Sequence, residues 1–401
     1  MPRFKYSAKS EPAKTIQGDI EAESRQDAIN KLHRMNYFPI AVIPHDLSSA
    51  PSLLGINRIP DKEITLFTRQ LSTLIESGVN ILTALNIVIK QTPNKRLRYC
   101  LEDVRAKIKD GKSFSESLSQ HPDLFGGLYI SLIHSGEVGG NIQLALKRLA
   151  DFLEKEQELK NSVRAALVYP AFILCVSILT IIVLLTFVIP RLVSMFEDLG
   201  QTLPLPTKIL INASGIMRSY WWLILAGVFV IVFVFQRFYH NPRGRTAIDK
   251  IKLGLPVIGQ VFLKVQFGRF SRTLSLLSSS GIPIVQALDI SGAALDNQAI
   301  RLEIDKFKKE IAEGASLAKC LSNSNVFPDF VTNIISIGEE TGTLEKSLLR
   351  IADEYEREAD RALKSLTRLL EPVIILAMGL IVGFIVLSML LPIFQLNLTA
   401  R

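Results

Sequence analysis

The sequence contains few of the residue types from which metal centres, disulfide frameworks and nucleophilic active sites are built. Its 401 residues include three cysteines, which lie far apart, form no CxxC pair and have no histidine partner. This spacing supports neither a zinc site nor a disulfide framework, so the soluble parts are expected to face a reducing compartment. The five histidines show neither an HExxH motif nor another paired spacing typical of catalysis.

A secretory signal peptide is also missing. The N-terminal residues lack an apolar core followed by a small-residue cleavage site, so the N-terminus is expected to stay in the cytoplasm. With 21% charged and 8% aromatic residues the chain is not wholly disordered, and 23 Gly with 18 Pro exclude a collagen-like chain. The net charge of +8 is compatible with nucleic acid, an acidic partner or anionic lipid, and does not choose among them.

No phosphate-binding loop is complete. Gly111-Lys112-Ser113 resembles the end of such a loop, but Ala106 stands where the motif requires a glycine. The equivalent later segment, Gly314-Ala315-Ser316, has no lysine to reach a phosphate. A helix end followed by a serine N-cap explains both segments. A hydrolase elbow and a dinucleotide fingerprint are missing too.

Three apolar runs without charged residues are present, at residues 168–189, 219–236 and 372 to about 391. About 20 helical residues cross about 30 Å of hydrocarbon, so each run is about long enough to span a membrane. Tyr220 and the two following tryptophans suit a membrane interface. Buried helices of a soluble core are the alternative interpretation.

The distribution of Lys and Arg predicts the orientation of these runs. Basic residues cluster before the first run, after the second and before the third, whereas the segment 190–218 and the C-terminal tail contain few. Because basic residues stay on the cytoplasmic side, the N-terminus is predicted inside and the C-terminus outside.

A long internal repeat is the most informative pattern. FTRQLSTLIESGVNILTALNI from Phe67 aligns with FSRTLSLLSSSGIPIVQALDI from Phe270, and a later offset of 202 residues pairs Pro170 with Pro372. Each copy is therefore a soluble module followed by one spanning helix. Two copies in the same orientation require a helix that returns the chain between them, and the middle run supplies it.

Each module is predicted to be a helical bundle, because its apolar residues recur every three or four positions. Gly78 and Gly281 lie where a helix should end. The helices from Leu144 to Pro170 and from Leu344 to Pro372 are predicted to continue directly into the spans. The first helix of the first module shows the pattern at Leu66, Phe67, Gln70, Leu71, Leu74 and Ile75.

Residues 1–45 have a different pattern. Alternation in FKYSA, IQGDIEA and PIAVI predicts strands, and Ser24 to Met35 predicts a helix capped by Ser24, which indicates a small mixed α/β domain. The fold class is thus a mainly α membrane protein with this N-terminal domain, two helical-bundle modules and three transmembrane helices. The predicted order after residue 45 is: linker 46–60, first cytoplasmic module 61–167, transmembrane helix 168–189, periplasmic loop 190–218, transmembrane helix 219–236, second cytoplasmic module 237–371 with its repeat from about 264, transmembrane helix 372–394 and periplasmic tail 395–401.

Transport of a small solute is disfavoured, because the three runs contain no ionisable residue that could carry an ion or proton. Gly379 and Gly383 have a spacing that allows close helix packing, or are simply tolerated glycines. The charged segments 154–158 and 353–360 are expected to be solvated faces, with a docking surface as the alternative.

The repeated FxRxLSxLxxSG segments, the GE turns at Glu137 and Glu339 and the proline-bounded spans resemble the F protein family, over nearly the whole chain. These are platform proteins of type II secretion systems and type IV pilus assembly machines. The resemblance implies a multi-pass protein of the bacterial inner membrane that couples a hexameric assembly ATPase to pilin or pseudopilin fibre assembly and protein export. It implies other platform components and further copies of the chain as partners. Anionic membrane lipids are expected partners as well, and nucleic acid is not. The resemblance implies that the chain is not itself an enzyme. The alternative function is a membrane receptor or adaptor that binds a cytoplasmic partner without fibre assembly.

The resemblance also implies a candidate metal site. Some members bind a divalent, calcium-like cation through the Glu of the GE turn and two further acidic side chains. Glu137 matches the first ligand, whereas Thr83 and Asn141 occupy the other two positions and are weaker, uncharged oxygen ligands. Glu137 therefore has two interpretations, as a calcium ligand or as a residue that stabilises the turn before the following helix. No other cofactor is expected.

Overall fold

The computed structural model describes residues 3–11, 14–22, 25–35, 37–44, 59–191, 204–240, 244, 248–249, 258–295, 297–324 and 327–399. The chain divides into two compact units, Met1–Pro60 and Asp61–Arg401. The predicted cap Ser24, most of the predicted linker 46–60 and parts of the predicted segments 190–218 and 237–371 lie outside the described residues.

The first unit contains three strands and one helix: β1 (Arg3–Glu11), β2 (Lys14–Glu21), α1 (Arg25–Arg34) and β3 (Phe38–Pro44). The strands form one antiparallel sheet in the order β2-β1-β3, with Tyr6 opposite Gly18 of β2 and Val42 of β3. Burial of apolar side chains from the sheet and α1 stabilises this unit. The buried residues are Ile20, Ala22, Ala28 and Leu32.

The first module of the second unit has six helices, and α8 follows it. They are α2 (Asp61–Glu76), α3 (Ile81–Gln91), α4 (Lys95–Lys109), α5 (Phe114–Ser119), α6 (Gly127–Val138), α7 (Ile142–Val183) and α8 (Leu205–His240). The second module repeats this order. Its helices are α9 (Ile258–Ser279), α10 (Ile284–Ala293), α11 (Gln298–Ala312), α12 (Leu317–Ser322), α13 (Asp329–Glu340) and α14 (Leu344–Thr399).

The predicted helix boundaries within the modules are confirmed. Gly78 has φ of 84° and Gly281 has φ of 77°, a conformation that favours glycine and ends α2 and α9. The side chains of Ser113 and Ser316 accept hydrogen bonds from backbone amides at the starts of α5 and α12. The segment that resembled a phosphate-binding loop is therefore a turn between two helices.

The cores of the modules are formed by equivalent aromatic residues. Phe67 lies 6.1 Å from Phe125 between ring centroids, and Phe270 lies 6.1 Å from Phe327. One expectation was wrong: Leu66 is 53% exposed and does not belong to the buried face of α2. The buried face is shifted by one residue, because Phe67 and its neighbours one turn later face the bundle.

The long helices α7 and α14 are continuous from the modules into the apolar runs, as predicted. The helix from Ile142 extends through a π-helical turn at Leu184–Val188 to Arg191, and α14 contains 56 residues, about 84 Å at about 1.5 Å per residue. These are the two helices, among the described residues, with the length and apolar composition to cross a membrane. Only 11% of each apolar stretch is buried, whereas a core helix of a soluble protein would be mostly buried.

The predicted loop 190–218 differs from the structure in its second half, because α8 already begins at Leu205. Pro206 lies in the first turn of α8, where its missing N–H needs no partner within the helix. A kink at Tyr220 (φ −119°, ψ 18°) separates this first part of α8 from the predicted span 219–236. Leu210 in the first part packs with Leu185 and Ile385, so apolar contacts rather than loop chemistry determine its structure.

Candidate functional site

Arg69 of α2 joins the first helix of its module to the long helix α7. Its Nε and Nη2 donate to the two carboxylate oxygens of Glu154, both at 2.6 Å, and Nη2 also donates to Asp151 Oδ1 at 2.5 Å. Asp151 and Glu154 are three residues apart and therefore lie on one face of α7. A two-point contact between a guanidinium and a carboxylate fixes orientation as well as distance.

The second module repeats this cluster. Arg272 of α9 donates through Nε and Nη2 to the two oxygens of Glu356, the latter at 2.7 Å, and through Nη2 to Asp353 at 2.6 Å. The Arg272 side chain is 15% exposed, against 31% for Arg69. The internal repeat pairs Arg69 with Arg272 by the offset of 203, and Asp151 with Asp353 and Glu154 with Glu356 by the offset of 202. The repeat did not indicate that the residues within each set bind one another.

The charge of Arg69 perturbs its partner. The hydrogen bond from Arg69 lowers the pKa of Glu154, and the same bond raises the pKa of Arg69. The expectation that segments 154–158 and 353–360 are solvated faces was therefore wrong for Glu356 in the second segment, whereas Glu154 at the start of the first is 43% exposed. Glu154 and Glu356 point to an arginine of the neighbouring helix, and Glu356 is only 14% exposed.

Glu137 lies at the start of another helix. Its Oε1 accepts from the Phe114 backbone amide at 2.5 Å, and its Oε2 accepts from the Ser115 amide at 3.0 Å and from the Ser115 hydroxyl. These amides belong to the first turn of α5, whose N–H groups have no partner within the helix. A carboxylate at this end also interacts favourably with the helix dipole.

The equivalent glutamate of the second module makes the same contact. Glu339 accepts from the amides of Leu317 and Ala318 at 2.7 and 3.0 Å, at the start of α12. The turn-stabilising interpretation of Glu137 was therefore correct in kind but assigned the wrong helix. Glu137 stabilises the start of a helix that precedes it by more than twenty residues, rather than the helix that follows it.

The residues present do not fit a calcium site. Calcium takes six to eight oxygen ligands, with carboxylates among them. Both oxygens of Glu137 already accept hydrogen bonds, and Oδ1 of Asn141 accepts from the Leu144 amide as the N-cap of α7. Thr83, the third position, lies in the first turn of α3 and its amide binds Asn80. Within the described part of the chain no three His, Cys, Asp or Glu side chains form a group that could hold a metal.

The glycine before each of these glutamates permits close packing of two helices. A Cβ atom at Gly136 would lie 2.4 Å from the Cβ of Ala145 on α7. A Cβ atom at Gly338 would lie 2.7 Å from the Cβ of Ser347 on α14. Both distances are far below van der Waals contact, so the long helix of each module packs directly on the backbone of the preceding helix.

The two modules contact each other through different surfaces. Ser135 Oγ donates to the Ser280 carbonyl at 2.5 Å, and Arg148 Nη1 donates to the Ser279 carbonyl at 2.7 Å. Further along α7, Glu156 forms an ion pair with Arg269 at 2.6 Å. Beside this pair is a cavity of about 550 Å³, whose lining includes Tyr129, Phe152, Glu156, Arg269 and Ile290. Sequence reasoning did not identify this contact, since it joins residues more than 100 positions apart.

Comparison with known proteins shows the family. A model described as "Type II secretion system (T2SS), protein F" matches residues 67–190 and 270–392, and a model of the "Type II secretion system protein F, N-terminal domain" matches residues 1–43. The chain belongs to this protein F family. The two matches of the first model confirm the internal repeat, and together the models confirm the resemblance found in the sequence.

Individual relatives carry names from two machines. The chain is 38% identical to the type IV pilus assembly protein PilC of Thermus thermophilus, over 99% of this chain and 98% of that protein. It is 35% identical to PilC of Myxococcus xanthus, over 98% and 95%, and 30% identical to the type II secretion system protein F of Vibrio cholerae, over 99% of both. These full-length matches identify an inner-membrane platform protein of the pilus and secretion type.

Proposed function

We propose that this chain is the inner-membrane platform of a type II secretion or type IV pilus assembly machine. In this role it couples a cytoplasmic assembly ATPase to the assembly of a pilin or pseudopilin fibre and to protein export, without being an enzyme itself. The observation that carries the proposal is the continuity of α7 and α14 from the soluble modules into exposed apolar stretches. Family membership and the names of the relatives support the same conclusion.

The proposed topology has three spans, with the N-terminus in the cytoplasm and the C-terminus in the periplasm. α7 and α14 both run from inside to outside, and the part of α8 after the kink at Tyr220 returns the chain. Tyr169 of α7 donates to Glu371 of α14 at 3.1 Å, which supports a parallel arrangement because these residues are equivalent in the repeat. Basic residues at the cytoplasmic ends of the spans would face anionic lipid.

The proposed mechanism is rigid transmission of motion. Arg69 joins α2 to α7 and Arg272 joins α9 to α14. At Gly136 and Gly338 the long helix of each module packs closely on the preceding helix. A displacement that the ATPase imposes on a module therefore moves the attached membrane helix. The ATPase, other platform components, pilins or pseudopilins and further copies of the chain are the proposed partners.

A flexible insertion tests this mechanism. A Gly-Ser linker after Arg164 or Arg368, each in a continuous helix, should abolish secretion or piliation while the protein still inserts into the membrane. An insertion of seven Ala-rich residues, about two helical turns, is the rigid control and should retain more activity than the flexible one. The same Gly-Ser linker within segment 46–58 controls for added length. Normal activity of both flexible variants would refute rigid transmission.

A deletion strain separates the proposed class from the alternative. Loss of secretion or pili would support a platform, whereas a strain that retains both but loses a response to a cytoplasmic partner would support a receptor or adaptor. Cross-linking from cysteines introduced at the exposed residues Lys95 and Lys306, one in each module, should recover the ATPase. The module that yields the ATPase is the one that contacts it.

We propose that Glu137 acts as the stabilising carboxylate of α5 and does not ligate calcium. Its contacts are reproduced at Glu339, where the neighbouring residue is Ala318 and lacks a hydroxyl. Addition of calcium to the metal-free protein should leave its unfolding temperature unchanged, and Glu137→Gln should not alter that response. A calcium-dependent rise in the unfolding temperature that Glu137→Gln removes would establish the metal site instead.

A further inference from the structure

The contact between the two modules is not reciprocal. The first module contributes its donor face, defined by Ser135 and Arg148, whose side chains donate hydrogen bonds. The second module contributes its acceptor face, defined by Ser279 and Ser280 at the C-terminal end of α9, whose carbonyls accept them. A two-fold arrangement would also bring the donor face of the second module onto the acceptor face of the first, and the structure shows both of those faces exposed.

The unused donor face belongs to the second module. Ile337 and Arg350 are the residues equivalent to Ser135 and Arg148 by the offset of 202. Arg350 is exposed and Ile337 is 59% exposed. Phe330, which is equivalent to the cavity-lining residue Leu128, is 48% exposed.

The unused acceptor face belongs to the first module. Glu76 and Ser77 are equivalent to Ser279 and Ser280 by the offset of 203, and both are exposed at the C-terminal end of α2. The Glu76 carbonyl accepts a long hydrogen bond of 3.4 Å from Gln143 of its own chain and, among the described residues, no bond from the other module. Leu66, which is equivalent to the interface residue Arg269, is 53% exposed. Large, exposed apolar side chains thus occupy the equivalent positions on both unused faces.

We infer that the donor face of the second module binds the acceptor face of the first module in another copy of this chain. The arrangement would repeat between chains the contact that exists within one chain. Charge complementarity supports it, because Arg350 would meet the carboxylate of Glu76. At the equivalent position α9 offers Arg148 only uncharged acceptors, the Ser279 carbonyl and the Ser280 hydroxyl. Glu76 is 3.6 Å from Lys147 in its own chain, so this carboxylate would bridge the two cations.

The geometry allows such a contact to repeat within one membrane. Tyr169 and Glu371 are equivalent residues and touch at 3.1 Å, so α7 and α14 run side by side in register. The rotation that superimposes the first module on the second therefore keeps their membrane spans at the same height. Applying the same rotation again, to place a module of another copy, also keeps the spans at that height. A contact between two different faces generates a ring if the rotation closes and an arc or filament if it does not.

The contact between chains would be more apolar than the contact within one. Ile337 replaces Ser135 on the donor face, and Leu66 replaces Arg269 beside the acceptor face. These exposed side chains have no counterpart in the polar pairs of the intrachain contact. A second copy would cover them and remove their apolar surface from water.

Disulfide cross-linking in membranes tests the inference with the full chain. The parent carries Cys175→Ala, while the buried Cys100 and Cys320 remain. Two differently tagged chains, one with Ser77→Cys and one with Ile337→Cys, are produced together in a strain without other machine components, and the membranes are oxidised. The inference expects a covalent dimer that contains both tags. Each variant produced alone should remain monomeric.

Three further variants make the result interpretable. Ser135→Cys with Ser280→Cys in one chain should form an internal disulfide, which shows that the intrachain contact exists and can be oxidised. Arg350→Glu in the Ile337→Cys chain should reduce the mixed dimer about tenfold, because it places like charges opposite each other. Arg301→Glu, an exposed arginine of α11 outside both faces, is the matched control and should not reduce it.

Two results would overturn the inference. One is the absence of the mixed dimer when the internal disulfide forms. The other is an equally abundant dimer from either variant alone, which would indicate a contact between identical faces. The measurement does not depend on secretion or piliation, so its outcome is separate from that of the proposed function. A mixed dimer in a chain that supports neither activity would still establish the interface.

Discussion

Replacement of Gly136 by alanine should destabilise the first module selectively. The added Cβ would lie 2.4 Å from the Cβ of Ala145, and also 3.2 Å from the Cα of Ile142 and 3.3 Å from the Asn141 carbonyl. All three atoms belong to the backbone or are attached to it directly, so no flexible side chain can move aside. α6 and α7 would have to separate by about 1 Å to restore van der Waals contact.

The size of the effect follows from two opposing contributions. Overpacking of a tight contact costs about 1–3 kcal/mol, whereas alanine in place of glycine within a helix gains about 0.5–1 kcal/mol. The expected net loss in the free energy of unfolding is about 1–2 kcal/mol. For a module of about 100 residues this lowers the unfolding temperature by about 5–15 °C.

Buried cysteines provide an assay that reports each module separately. Cys100 lies in the core of the first module and Cys320 in the core of the second, and burial raises the pKa of both thiols. With Cys175 replaced by alanine, a thiol-reactive dye labels each core only as it unfolds in detergent. Single-cysteine versions of Gly136→Ala should show the lowered unfolding temperature at Cys100 and a smaller change at Cys320.

Two variants make the steric explanation refutable. Ala145→Gly removes the atom that the new Cβ would meet, so Gly136→Ala with Ala145→Gly should recover part of the lost stability. Gly127→Ala adds a Cβ that would have no neighbour within 4 Å and should change stability by no more than about 0.5 kcal/mol. If Gly136→Ala unfolds like the parent, or the double variant is no more stable than the single one, the close contact does not limit this packing.

Three further predictions concern the duplicated ion pairs and carboxylates. Glu137→Gln and Glu339→Gln should each lower the free energy of unfolding of the module that carries the change by about 1–3 kcal/mol, because the helix N-terminal amides are left with a weaker acceptor. A variant that unfolds at the same temperature as the parent would contradict this. Arg272→Lys should destabilise more than Arg69→Lys, since lysine cannot make the two-point contact and Arg272 is less exposed, and the same dye assay compares them. The pKa of Glu154 is lowered in the folded state, so its ion pair with Arg69 contributes to the stability of the first module. This contribution is complete above the usual pKa of about 4.5 and is lost as the pH falls through the lower pKa of the folded state. Acid titration of the first module should show this loss in the parent and not in Arg69→Gln.

The sequence was sufficient to predict features that depend on local chemistry and on repetition. The turn at Gly78, the N-cap Ser113 and the uninterrupted helix from Leu144 to Pro170 all follow from residues within one or two helical turns of each other. Each prediction was strengthened because the same feature recurs in the second copy, where most of the surrounding residues are different.

Features that depend on contacts between distant helices were not predictable. Arg69 and Glu154 are 85 residues apart, and nothing in their local patterns indicates that α2 and α7 lie side by side. Glu137 showed the same limit: its position in a GE turn suggested the adjacent helix, whereas its carboxylate reaches α5. The misplacement of Leu66 had a related cause. The periodicity of α2 predicts that one face of the helix is buried, but not which residues lie at the edge of that face.

The two arginine clusters differ in one respect that the repeat alone does not explain. Glu356 is 14% exposed and Glu154 is 43% exposed, although their contacts are the same. The surface above Arg272 also contains residues of α7, including Lys155 and Glu158, so docking of the first module covers the second cluster. The equivalent surface above Arg69 is the one that another copy of the chain would cover. If that contact forms, the difference in stability between the Arg69→Lys and Arg272→Lys variants should be smaller when the chains are associated. Adding Arg350→Glu, which separates the chains, should restore the full difference. A difference that stays constant would mean that the exposure of the first cluster is intrinsic to its module.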